Sequence, residues 1–188
     1  MKASIKLGAF LIVGSLMLSA CSEATIEKVE PVAASDQKED ISKAADKKTE
    51  EQPKEEEKAK QPEVFKVGES VKFNDLVITV NSAKDHKGSD FEKPADGSVY
   101  KVIDVTVENT GDKEEAISSM MHTSMADSDG YTYNIMIASF VKSQLDGSVP
   151  PGRKLRGELA YEVPKDADGL EFIFSDPFST GQAIWKVK

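Results

Sequence analysis

The stretch Val99-Tyr100-Lys101-Val102-Ile103-Asp104-Val105-Thr106-Val107-Glu108 decides the fold. Val99, Ile103, Val105 and Val107 share one parity, and Asp104, Thr106 and Glu108 the other. Successive side chains of a strand point to opposite faces, so this pattern predicts a half-buried strand with one dry and one wet face. The same period recurs on both sides. Upstream, Leu76-Val77-Ile78-Thr79-Val80 is short and rich in β-branched residues. Downstream, Leu155, Gly157, Leu159, Tyr161 and Val163 alternate with Arg156, Glu158 and Glu162. Leu170, Phe172 and Phe174 share a face of Gly169–Ser175, and Ala183-Ile184-Trp185-Lys186-Val187 follows.

Turn signals separate these runs: Asn109-Thr110-Gly111-Asp112, Asp129-Gly130, Asp146-Gly147, Pro150-Pro151-Gly152 and Asp168-Gly169. About seven short strands at such spacing predict an all-β, immunoglobulin-like antiparallel sandwich. Ser118–Asp127 reads as a further strand. Ile135–Leu145, with Met136, Phe140, Val141 and Leu145 at near-helical intervals, reads as one or two helical turns. With a single cysteine in the chain, no disulfide joins the sheets, and Trp185, Phe73, Phe172 and Phe174 are the expected core anchors.

Working outward, the chain of 188 residues divides into three unlike parts. Twelve of its thirteen aromatic residues fall in 64–188, the expected β-sandwich domain, which is long enough to fold alone. Residues 21–63 carry 13 acidic and 8 basic groups with no aromatic and no glycine. Such a composition cannot offset its ordering entropy, so a disordered Lys/Glu-rich tether is expected there, spanning on the order of 35–40 Å as a coil.

Residues 1–20 begin with Lys2 and Lys6 and continue uncharged from Leu7 to Ala20. At 1.5 Å per residue that run reaches about 21 Å, short of a hydrocarbon core of about 30 Å. A basic start, a short apolar middle and small residues at the end predict a signal peptide. Leu18-Ser19-Ala20-Cys21 resembles the lipobox of bacterial lipoproteins. The resemblance implies a diacylglyceryl group on the Cys21 thiol and cleavage just before it, giving a protein lipid-anchored on the extracytoplasmic face of the cell membrane. The anchor makes the membrane the first expected partner, and two acyl chains hold where one binds only marginally.

Val67-Gly68-Glu69-Ser70, Asp96-Gly97-Ser98, Val105-Thr106-Val107-Glu108-Asn109-Thr110-Gly111, Pro151-Gly152, Gly157 and Val163-Pro164, in that order, resemble a bacterial family of unknown function. Its members are mostly lipoproteins with an immunoglobulin-like domain, similar in fold to an immunoprotective extracellular antigen of mycobacteria. The resemblance implies the fold and a Gram-positive cell surface, and it brings no catalytic residues.

The net charge of −9 and pI near 4.9 argue against nucleic acid, whose binders cluster Lys and Arg. Only His86 and His122 offer an imidazole base, and neither lies in a nucleophile motif, so no enzyme, catalytic residue or cofactor is expected. Asp127-Ser128-Asp129-Gly130 resembles the opening of a calcium loop, with Asp127 and Asp129 as weak metal candidates. The Glu an EF-hand needs six residues after Gly130 is Met136, and a hairpin turn explains Asp-Gly equally well. Met120, Met121, Met125 and Met136 would offer soft ligands, but strand alternation splits them between faces and favours core packing. Arg153, Lys154 and Arg156 form the one basic cluster, suited to anionic headgroups or wall polymers. The expectation is a binding or interaction module of the cell envelope whose partner is an envelope protein or wall polymer. The alternatives are an accessory structural protein without a small-molecule ligand, or a calcium-binding surface domain.

Overall fold

The computed structural model describes residues 22–29 and 63–188. Its strands are β1 (Ser22–Glu23), β2 (Ile26–Val29), β3 (Val64–Lys66), β4 (Ser70–Phe73), β5 (Leu76–His86), β6 (Ser98–Asn109) and β7 (Glu115–Ile117). After the single helical turn α1 (Ser119–His122) come β8 (Thr123–Ala126), β9 (Thr132–Tyr133), β10 (Ile135–Met136), β11 (Gly147–Val149) and β12 (Lys154–Pro164). The last three are β13 (Glu171–Ser175), β14 (Ser179–Thr180) and β15 (Gln182–Lys186).

The strand read first from the sequence, β6, lies near the middle of a six-stranded sheet ordered β10-β12-β6-β5-β4-β2. Its buried residues Ile103, Val105 and Val107 face the five-stranded sheet β3-β15-β13-β8-β9. All pairings in the two sheets are antiparallel except β3 with β15. In immunoglobulin terms β6, β12 and β10 stand as strands B, E and D, and β8, β9, β13 and β15 as C, C′, F and G. The sandwich is immunoglobulin-like, as its alternation predicted.

Packing between the sheets replaces the missing disulfide. Trp185 is fully buried, with its ring 5.9 Å from Phe65 and 6.0 Å from Phe172, while Phe73 meets Phe174 edge-on at 5.6 Å. All four expected anchors are therefore in the core. Aromatic contacts of this kind add about 0.5–1.5 kcal/mol each beyond the area they bury. Tyr161 crosses between the sheets to donate to Thr123 Oγ1 at 2.8 Å, and burial raises its phenol pKa.

Three expectations are corrected. The first concerns the tether, whose opening residues 22–29 belong to the sandwich. β2 pairs with β4, β1 runs parallel to β14, and the Thr25 carbonyl accepts from Asn74 N–H while Thr25 N–H donates to the Asn74 side-chain Oδ1. Ala24 and Ile26 pack against the core, which outweighs the polar composition of their neighbours. The remainder of the expected tether, 30–62, lies outside the described residues, and it joins two strands of one domain.

The second is Ser118–Asp127, which opens with α1 and only then extends as β8. The Ser118 carbonyl accepts from the backbone N–H of Met121 and His122, and the Asp146 carboxylate accepts from Ser119 N and Oγ at 2.8 and 2.9 Å. The third is Ile135–Leu145, which forms β10 and then an irregular segment. Its backbone donors turn to carboxylates: Ser139 N–H to Glu92 and Lys142 N–H to Glu158. Leu145 is meanwhile drawn into the core beneath Gly157, where a Cβ would stand 2.6 Å from the Leu145 nitrogen.

Candidate functional site

β5 runs the length of its sheet, and its ten residue steps span roughly 34 Å. Its two ends mark two different surfaces. At the His86 end a basin of about 490 Å³ is lined by Lys87, Lys93, Pro94, Ser98, Val99 and Lys165, with Asp85 at its edge.

A register shift between Val80 and Ser82 builds this end. Before the shift Leu76, Ile78 and Val80 point inward; after it the parity flips, setting Ala83 beside Ile103 and Asp85 beside Lys101. Lys101 is only 6% exposed, and its ammonium pairs with the Asp85 carboxylate. Asp85 is thereby neutralised at the edge of the basin. The exposed lysines Lys87, Lys93 and Lys165 have no carboxylate partner among the described residues. Three free ammonium groups around an apolar floor suit an anion.

The loops holding these lysines are braced. Gly88 has φ +83°, and a Cβ there would lie 1.9 Å from the Glu92 carbonyl oxygen, so only glycine fits. Ser89 N–H donates to the Glu92 carbonyl at 2.8 Å, while the Glu92 carboxylate accepts from Ser139 N–H at 2.8 Å. These bonds to Ser139 hold the Glu92 pKa below its ordinary value. Ala95 N–H donates to Glu162, and Lys165 N–H donates to the Gly97 carbonyl. His86 stacks on Phe140 at 4.2 Å and accepts from Gly88 N–H through Nδ1 at 3.0 Å, which places it as a brace for this loop.

The opposite end holds a second cavity of about 470 Å³, lined by residues including Asn74, Asp75, Glu115, His122, Asp176 and Phe178. His122 is 9% exposed and its Nδ1 lies 3.0 Å from the Ser118 carbonyl oxygen. The two histidines thus stand at opposite ends of the sandwich, and neither meets a nucleophile.

The other sequence candidates disperse. Asp127 Oδ1 accepts from the N–H groups of Asp129 and Tyr131 at 3.0 and 2.9 Å, and Oδ2 accepts from the Tyr133 hydroxyl at 2.6 Å. These bonds lower the Asp127 pKa, with Tyr133 the largest cause. Burial and Asp127 together push Tyr133 up to about 12. The Asp127 carboxylate is the keystone of the β8–β9 hairpin. Among the described residues no three His, Cys, Asp or Glu side chains converge to hold a metal.

The basic cluster is mostly spent on its own sheet. Arg156 clasps Asp104 through two bonds of 2.9 and 2.6 Å, and Lys154 pairs with Glu108 at 2.9 Å. Arg153 sits in the Pro150–Arg153 turn, against Asn109. Of the methionines, Met125 is buried, but Met120 and Met121 on α1 are 76% and 55% exposed, which corrects their expected place in the core. Leu18, Ser19, Ala20 and Cys21 lie outside the described residues. The basin was not legible in the sequence because Lys165, just after β12, comes 72 residues beyond Lys93 and is brought beside Lys87 and Lys93 only by the fold.

The strand order and the disulfide-free core define an immunoglobulin-like β-sandwich. The chain belongs to a family described as a domain of unknown function (DUF4352), whose model matches residues 65–184. Among solved structures it resembles yjhA of Bacillus subtilis, with a TM-score of 0.53 and 17% identity over 66% of this chain and all of that one. It also resembles ycdA of the same species, a candidate lipoprotein, with a TM-score of 0.50 and 14% identity over 60% of this chain. That alignment spans 36% of the ycdA chain. MPT63, a secreted protein of Mycobacterium tuberculosis, matches at a TM-score of 0.48 and 14% identity over 67% of this chain and 98% of its own. At these identities the likeness concerns the fold alone. No curated protein matches the sequence significantly.

Proposed function

We propose that this protein is a non-catalytic interaction module of the cell envelope, anchored outside the membrane through a diacylglyceryl group on Cys21. The signal-like residues 1–20 and the lipobox-like Leu18–Cys21 support the anchor. The observation that carries the binding role is the basin of Lys87, Lys93 and Lys165, three free cations on a chain whose net charge is −9. Its partner is accordingly an anionic envelope component, a phosphate-bearing wall polymer or an acidic protein segment.

Two measurements test this reading. Cys21→Ser should abolish incorporation of labelled fatty acid and leave the chain unprocessed; continued labelling would sink the anchor. Calorimetric titration with short-chain polyphosphate and with isolated wall polymer tests the basin. Combining Lys87→Gln, Lys93→Gln and Lys165→Gln should weaken binding about tenfold, since exposed charge pairs contribute up to about 1 kcal/mol each. No binding by the unmodified protein to either probe would leave an accessory structural role in its place.

A further inference from the structure

The docking of residues 22–29 fixes where an anchor at Cys21 must enter the molecule. Ser22 pairs with Ser179 and Glu23 with Thr180, while Ala24 N–H donates to the Thr180 carbonyl at 2.7 Å. Thr25 N–H then donates to Asn74 Oδ1 at 2.9 Å, on the β4–β5 turn. Cys21 is one peptide unit from Ser22, a Cα separation of about 3.8 Å. No spacer separates the acylated residue from the folded domain.

The surface beside Ser22 carries exposed apolar side chains. Phe178, next to Ser179, is 83% exposed. It lines the same cavity as His122 of α1, the turn that carries the exposed Met120 and Met121. Exposed aromatic and thioether side chains at one end, next to the point of lipid attachment, suit the boundary between headgroups and acyl chains. Asp75, Glu115 and Asp176 line that cavity too, so this end repels an anionic surface and its contact rests on the exposed apolar side chains. The lysine basin lies at the far end of β5, roughly 34 Å away.

We infer that the end of the sandwich carrying Phe178, Met120 and Met121 rests on the bilayer that holds the Cys21 lipid, so that the lysine basin points away from the membrane. This rests on the anchor reading above. Residues 30–62, which looked like a leash, join β2 to β3 and leave the anchor-to-domain distance unchanged.

The test uses the mature chain, residues 21–188, coupled through its one thiol to a maleimide-headgroup lipid in phosphatidylcholine vesicles. Phe178→Trp places an indole at the contact, and the fully buried Trp185 gives the background to subtract. The expected result is a blue-shifted emission at position 178, roughly halved by brominated acyl chains. Quenching should weaken when phosphatidylglycerol is added. Emission like that of an indole in water, unquenched on coupled vesicles, would overturn the orientation while leaving the anchor intact. Emission already blue-shifted in soluble Cys21→Ser protein would also overturn it. Concentration dependence would then assign the face to a second copy, and independence to residues 30–62. Absence of acyl label on Cys21 in cells would remove the anchor and this orientation together.

Discussion

At the scale of single residues, Asn109 shows how one buried polar group organises a corner of the sandwich. It is fully buried, donates through Nδ2 to the carbonyls of Lys113 and Val149 at 2.6 and 2.7 Å, and accepts from Gly111 N–H at 2.9 Å. Its backbone also exchanges bonds with Gly152 and Arg153, so two turns are tied to one side chain. Asn109→Ala leaves the Val149 carbonyl buried and unsatisfied, and each such group costs about 1–3 kcal/mol. A loss of about 2–4 kcal/mol is expected in urea unfolding monitored by Trp185 fluorescence, with no change in m-value. A loss below 0.5 kcal/mol would show that water replaces the amide. The sequence displayed Asn109-Thr110-Gly111 as a turn signal, but not that its side chain reaches 40 residues ahead to Val149.

At the scale of elements, the edge strand β2 is the part that composition concealed. Ile26-Glu27-Lys28-Val29 alternates poorly and lies in a charged stretch, so its pattern carries little strand signal. The edge of β4 supplies what the pattern lacks, a row of backbone partners from Ser70 to Phe73, together with an ion pair of 2.6 Å between Lys28 and Glu69. Bonding to Lys28 is the largest cause of the lowered Glu69 pKa. Ile26→Asp should remove the apolar contact that holds this strand. Amide exchange at residues 24–29 should then rise by about tenfold or more, while β5 and β6 keep their protection. Unchanged protection at these amides would mean that backbone pairing alone holds the strand. The lost helix at Ile135–Leu145 teaches the same lesson in reverse: near-helical spacing was present, but Glu92, Glu158 and the space under Gly157 took its backbone and Leu145.

At the scale of the whole molecule, the Asp104–Arg156 pair on the outer face of the larger sheet contributes to the response to acid. Asp104 accepts from Arg156 and from Asn81, and these bonds hold its pKa below the ordinary 3.8, the Arg156 bond contributing most. A carboxyl with a lower pKa in the folded state stabilises the fold above the unfolded pKa, and that contribution is lost as pH falls through the folded value. Arg156 is 66% exposed, so the pair is worth about 1 kcal/mol or less. The stability difference between the wild type and Asp104→Asn should therefore shrink as pH falls from about 6 to 3. A difference constant with pH would exclude Asp104 as a source of acid sensitivity.

The sequence by itself determined the fold class and its anchors, because period-two burial and turn chemistry are local properties that each strand carries alone. Trp185, Phe73, Phe172 and Phe174 could be read as core without knowing their partners. It also displayed the signal-like start and the single cysteine, which are matters of order along the chain. Only the tertiary structure decided that residues 22–29 join the sandwich, since an edge strand takes its stability from the neighbour it pairs with. Only it gathered Lys87, Lys93 and Lys165 around one basin and set Phe178 beside Ser22 at the other end, because spatial neighbours across a sandwich are fixed by strand order and register, which no single segment encodes.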